Sequence, residues 1–165
     1  MNEDNILCNI FNRPANATAF VVGSEKYTDI RGKILFYQLK NSVLVRCEII
    51  GLPIKEGRCK NPFFAMHIHS GSECSGDDKD YFSKSNGHYN PEGCPHPYHA
   101  GDLPPLFSVK GNAFTVFLTD RITVSEVLYK TLIIHSAPDD FTTQPSGNAG
   151  EKIACGVITP TLRYM

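Results

Sequence analysis

The six histidines of this chain fall in two places. His67, His69, His88, His96 and His99 lie within residues 67–99, and His135 ends the apolar run Thr131–His135. A neutral imidazole presents a nitrogen lone pair and is a common ligand for zinc and copper. In His67-Ile68-His69, side chains two apart on a strand leave the same face, so both rings can point at one ion while Ile68 faces the core. Alone, such a pair is more often not a metal site. The downstream run is stronger: His88, His96, His99 and Asp102 are separated by seven, two and two residues. Three imidazoles and one carboxylate suit tetrahedral zinc, and four protein ligands leave no open position, which describes a structural ion. Pro91, Gly93, Pro95, Pro97 and Gly101 stiffen the segment around it. The competing reading is a polar, histidine-rich loop that binds nothing. His135 alone reads as a hydrogen-bonded strand end, and gains interest only because His67 and His69 need a further partner.

Short strands must carry these groups. Apolar or alternating runs occur at 17–23, 32–39, 43–50, 63–69, 106–109, 112–118, 131–135 and 153–158, punctuated by turns such as Lys40-Asn41-Ser42 and Lys110-Gly111. Eight such runs indicate an all-β sandwich or barrel. One short helix is expected at Val124–Tyr129, opened by Thr123 or Ser125 as N-cap. Residues 1–16 read as an irregular leader and 17–165 as one domain. Two segments, from Ser70 to about Pro105 and from Ser136 to about Glu151, read as loops long enough to be functional. Both begin beside a histidine.

Composition narrows the function classes. The chain has 165 residues, with 16 Lys+Arg against 17 Asp+Glu and a formal net charge of −1. Such a balance argues against nucleic-acid binding. Hydrophobic residues make up 41%, enough for a core, and 13 Gly with 11 Pro suit many turns. No apolar run approaches the roughly 18 residues that span a bilayer, so no membrane association is expected. The start, MNEDNILCNIF, has neither a basic n-region nor a long apolar h-region. A cytoplasmic protein is therefore expected, or a periplasmic or secreted one if a signal was removed. Six Cys permit disulfides, although a cytoplasmic setting would disfavour them. Cys8 reads as a tail thiol and Cys47 as a small strand residue. Asn16-Ala17-Thr18 fits a glycosylation sequon, but without a signal no role is expected of it.

FAMHIH at 64–69, GHYNPEGCPHPYHAGDLP at 87–104, LIIHSAPDDF at 133–141 and GNAGEKIACGVI at 147–158 closely resemble copper/zinc superoxide dismutase. RGKILFYQ at 31–38 and GLP at 51–53 extend the likeness over about residues 17–159. The resemblance implies an eight-stranded Greek-key β-barrel with a zinc loop and an electrostatic loop. It implies copper held by His67, His69, His88 and His135, and zinc held by His88, His96, His99 and Asp102, with His88 bridging. Asp139 matches the carboxylate that ties a copper histidine, His67, to a zinc histidine, His96. Cys74 and Cys155 match the family's intrasubunit disulfide. The implied activity is disproportionation of superoxide to O2 and H2O2 by Cu(II)/Cu(I) cycling, with His88 able to release copper and take a proton. A positive pit would steer the anionic substrate.

The chain departs from the family pattern in several places. Lys152 stands where an active-site arginine is usual; it keeps the charge and loses the planar fork of donors. His96 and His99 are closer in sequence than is familiar, and the 136–147 loop is short and poor in charge. Residues 55–61, with Cys59, look like an insertion. Cys59 and Cys94 could form a second disulfide; the rival reading of Cys94 is a free thiol near zinc. These departures motivate an alternative function, a non-catalytic copper/zinc-binding protein for metal buffering or delivery. Either a monomer or a homodimer is compatible with the resemblance.

Overall fold

The structure, a computed structural model, describes residues 6–54, 56–57 and 60–161, with side chains from Asn9 onward. Nine strands form: β1 (Ala17–Gly23), β2 (Arg31–Gln38), β3 (Val43–Ile50), β4 (Phe63–Phe64), β5 (Met66–His69), β6 (Leu106–Phe107), β7 (Ala113–Thr119), β8 (Thr131–His135) and β9 (Lys152–Pro160). Seven make one antiparallel sheet in the order β5-β8-β9-β1-β2-β3-β7, and β4 pairs with β6. The sheet curls into a half-barrel. Hairpins join β1 to β2 and β2 to β3, whereas the chain crosses the sheet from β3 to the far edge at β5 and then from β5 to the opposite edge at β7, as a Greek-key layout requires. The run 63–69, read as one strand, is two: the Ala65 N–H turns to the Ala137 carbonyl at 2.8 Å, and the His135 N–H donates to the Ala65 carbonyl at 2.9 Å.

Alternation builds the core. Ala17, Ala19 and Val21 of β1 are buried while Phe20 and Val22 face solvent. The inward sides of β2, β3, β5, β8 and β9 add Ile34, Phe36, Val45, Cys47, Ile49, Met66, Ile68, Leu132, Ile134 and Ile158. Cys47 is a buried, free thiol with its Sγ 3.9 Å from the Met66 sulfur.

Two local expectations are corrected. Residues Ile6–Phe11, placed in an irregular leader, form a helix, α1. Its Ile10 packs on Tyr37 and Leu44, so an apolar contact too distant in sequence to be read orders the segment. The later helix, α2, covers only Val124–Val127, with Thr123 as N-cap in a capping box with Glu126. It stops where Leu128 becomes extended and Tyr129 takes φ +65°.

Candidate metal centre

The outer face of the sheet, opposite the core, carries the histidines. Within β5, Met66 and Ile68 join the core, which leaves His67 and His69 together on the other side. β8 pairs with β5 so that His67 lies across from Ile133 and His69 from Thr131. His135 then ends β8 beside them. Here the register slips: Ile134 pairs with Ala154 but His135 pairs with Lys152, which leaves Ile153 as the extra residue of a bulge. Bulges re-aim side chains. This one sets Lys152 directly across from His135.

The two long loops cover this face. The first lies along the free edge of β5, where Tyr89 N–H donates to the Ile68 carbonyl at 2.8 Å and Ile68 N–H to the Gly101 carbonyl at 2.9 Å. A Cβ on Gly101 would lie 2.3 Å from the Ile68 oxygen, so this approach requires glycine. The segment thereby brings His88 beside His69 and Asp102 beside His67. A disulfide, Cys74–Cys155, fastens the same loop to β9, and Cys155, Ile133 and Phe82 pack together beneath it. Cys94 is half-buried and has no disulfide partner among the described residues, while Cys59 lies outside them.

Two donor groups result. His67, His69, His88 and His135 offer ring nitrogens within 4.8 Å of one another; so do His88, His96 and His99 with a carboxylate oxygen of Asp102. His88 belongs to both. Its Nδ1 lies 2.7 Å from Asp102 Oδ1 and 3.3 Å from His99 Nδ1, on the second group's side. Its Nε2 is buried without a hydrogen bond.

The outward nitrogens of His67, His69, His96 and His135 are occupied. His69 Nδ1 donates to the Asn86 carbonyl at 2.7 Å and His135 Nδ1 to the Gly150 carbonyl at 3.3 Å. A carbonyl only accepts, so both Nε2 atoms are lone pairs, and they lie 3.3 Å apart. Asp139 joins the two groups: Oδ2 takes the His67 Nε2–H at 2.7 Å and Oδ1 takes the His96 Nε2–H at 2.9 Å. The inward atoms, His67 Nδ1 and His96 Nδ1, are buried and without a hydrogen bond. Each faces its own donor group, His96 Nδ1 at 3.1 Å from Asp102 Oδ2, and buried nitrogens without a hydrogen bond are suited to a metal ion.

Electrostatics agrees. Burial pushes His69 and His135 far below the ordinary imidazole value, to about 2 and about 3, with neighbouring rings adding to it. Burial also lowers His67, with Asp139 opposing in part. For Asp139, burial alone would raise the carboxyl, but bonds from His67, the Phe141 N–H and His96 outweigh it and hold it at about 2. Asp102 likewise stays below its usual range despite burial, chiefly through His88. Neutral imidazoles and ionised carboxylates are the states that bind metal.

The shortened segment between the second group's histidines is stiffly held. Gln144 Nε2 donates to the His96 carbonyl at 2.7 Å, and the His96 N–H donates to Gln144 Oε1 at 3.0 Å. Arg121 Nη1 donates to the Pro97 carbonyl at 3.0 Å. A Cβ on Gly147, at φ +66°, would fall 2.0 Å from Asp139 Oδ1 and 2.7 Å from His96 Nε2. Gln144, Arg121 and the Ile153 bulge were not legible in the sequence, because nothing in residue type marks a polar side chain that will meet a distant backbone.

A cavity of about 700 Å³ opens over the first group, lined by His69, His88 and His135. Among side chains, its rim carries both signs of charge. Lys26, Lys79 and Lys152 are matched there by Asp78, Asp80 and Glu151. Lys152 Nζ lies 2.8 Å from Asp80 Oδ2, and Lys26 pairs with Glu151 at 3.0 Å. A larger groove of about 890 Å³, with Phe20, Val22, Phe107 and Phe114 in its lining, has no histidine.

Comparison with known proteins agrees with this geometry. The family model described as copper/zinc superoxide dismutase (SODC) matches residues 30–158. Superoxide dismutase [Cu-Zn] 2 of Aquifex aeolicus (strain VF5) is 34% identical over 163 residues, covering 90% of this chain and 89% of its own. Superoxide dismutase [Cu-Zn] 1 of the same organism is 35% identical over 142 residues, 77% and 79% of the two chains. The Legionella pneumophila superoxide dismutase [Cu-Zn] is 31% identical over 135 residues, 77% and 76%. The match runs from β1–β2 hairpin to last strand and takes in both loops that carry the donor groups, and by it this chain belongs to the copper/zinc superoxide dismutase family.

Proposed function

We propose that this protein disproportionates superoxide to O2 and H2O2 with copper and zinc as cofactors. His67, His69, His88 and His135 hold copper; His88, His96, His99 and Asp102 hold zinc. The observation that carries this is His88, one ring that belongs to both donor groups, with its Nδ1 beside Asp102 and its Nε2 buried without a hydrogen bond. Copper, when bound, supplies the one-electron couple that oxidises one superoxide and reduces the next. The second group supplies four protein donors, as a closed structural site does. The first group lies under an open cavity, so a small anion can reach it. His88, held on its Nδ1 side, has Nε2 to keep a proton for the reduced product. Lys152 brings an ammonium to the same cavity to draw the anion in. Asp139 orients His67 and His96 together.

The test is superoxide consumption by rapid mixing after loading with both metals and verifying their content. Consumption far above that of the metal-free chain is expected. A fully loaded protein that consumes none would instead leave metal buffering or delivery, the reading that the Lys152–Asp80 ion pair favours.

No helix among the described residues is long and apolar enough to cross a membrane. The reading requires no partner besides superoxide. It describes a cytoplasmic enzyme, or a periplasmic or secreted one if a signal precedes it, acting as a monomer or homodimer. Cell fractionation and sedimentation equilibrium decide between these.

A further inference from the structure

We infer that Asp80 is a positioning residue that holds Lys152 back from an incoming anion and damps its attraction. The inference rests on the reading of Lys152 as the cavity's anion-drawing group. The bulge at Ile153 delivers the lysine to the cavity wall across from His135. Its ammonium does not point freely into that space. Nζ donates to Asp80 Oδ2 at 2.8 Å and to the Phe82 carbonyl at 3.1 Å. An ammonium has three donors, and two are committed. Only 16% of the Lys152 side chain is exposed, against 38% for Asp80.

The carboxylate is itself fixed. Asp80 Oδ1 accepts the Phe82 N–H at 3.0 Å, and its backbone carbonyl accepts the N–H groups of Ser83 at 3.0 Å and Asp77 at 3.1 Å. The loop bearing it is joined covalently to β9 by Cys74–Cys155, close in sequence to Lys152. Anchor and lysine are thus mounted on one frame. An arriving anion meets a pair of opposite charges whose field falls off faster than that of a lone ammonium. With two donors held, the lysine has one left for an anion, whereas an arginine's planar fork can serve a carbonyl and a ligand together. The chain has the lysine and a carboxylate placed to restrain it.

Asp78 makes the test specific. It lines the same cavity with the same charge, while the ammonium's bonds go to Asp80 and Phe82. Azide titration of the oxidised, metal-loaded protein, followed by absorbance, reads anion capture without turnover. Asp80→Asn keeps an oxygen for the Phe82 N–H and removes the charge. It should tighten azide binding and raise the second-order rate with superoxide by about three- to fivefold at low ionic strength, a small part of what steering can supply. Asp80→Glu, which retains the charge, should stay near the parent. In a Lys152→Met background the Asp80→Asn gain should shrink to that of Asp78→Asn, which should be small and the same with or without the lysine. An equal gain from Asp80→Asn in both backgrounds would reduce Asp80 to one more negative charge and overturn the inference; so would no gain, or a loss, in the parent. If the loaded parent consumes no superoxide, the proposed activity fails, and the azide series still decides whether Asp80 restrains Lys152.

Discussion

His88 and Asp139 perform complementary tasks: one ring reaches into both donor groups, and one carboxylate orients a ring from each. Asp139→Asn keeps the shape and leaves a single oxygen for three N–H donors, those of His67, His96 and the Phe141 backbone. It should weaken metal retention about 10- to 100-fold, as loss of a partner that orients a ligand typically does. Competition with a chelator measures this, and unchanged retention would remove Asp139 from the site. The buried rings also predict how the metal-free protein responds to acid. His69 and His135 stay neutral in the fold down to about 2 and about 3, while the unfolded chain takes up protons near 6.5. Because the native state then binds fewer protons, its stability is full above 6.5 and falls as the pH drops towards 3. Each proton contributes a slope of about 1.4 kcal/mol per pH unit. Denaturant midpoints of the metal-free chain, measured between pH 7 and 4, should decline; a flat profile would contradict the burial of these rings. Spacing marked the run His88, His96, His99 and Asp102, whereas the set His67, His69, His88 and His135 came from the family resemblance, because spacing alone says little of a His-x-His pair or a lone strand-end histidine. Asp80's hold on Lys152 was not legible, since a loop aspartate carries no mark of what it will meet.

The strands followed from alternation, and most of their positions could be read directly. The exceptions were features one residue wide. Ala65 splits a strand because its backbone groups bond to residues about seventy positions away, and the Ile153 bulge depends on the register of a partner strand. Periodicity has no signal for either. The first loop depends on a covalent tie, with 81 residues separating Cys74 from Cys155. Cys155→Ser should cost about 2–5 kcal/mol in a denaturant titration, because the unfolded chain regains the freedom that this closure removes. It should also lower azide affinity or change its salt dependence, since Asp80 and Phe82 ride on the same loop. A loss below about 1 kcal/mol would mean the loop is held by its edge contacts with β5 alone.

A net charge of −1 argues against nucleic acid as a partner class but says nothing of how charge is distributed. Folding gathers three lysines and three carboxylates around one cavity mouth. Surface charges of mixed sign largely cancel beyond about 10 Å at ordinary ionic strength. The rate with superoxide should therefore change by less than about threefold between low and physiological salt, where a uniformly positive funnel would show a steep fall. A steep fall would favour the positive pit expected from the sequence. The fold class was legible from strand count and turn density; the charge pattern required the loops to be in place.

Gln144 binds both the N–H and the carbonyl of His96, as a neighbouring strand would, and so couples the two long loops to each other. Neither loop can swing aside while that pair persists. Where zinc occupies the second group, its residence time is expected to be set by how often the loops part, rather than by the strength of its donors. Extraction by a chelator should become independent of chelator concentration once the chelator is abundant, and Gln144→Ala should hasten it without altering a single ligand.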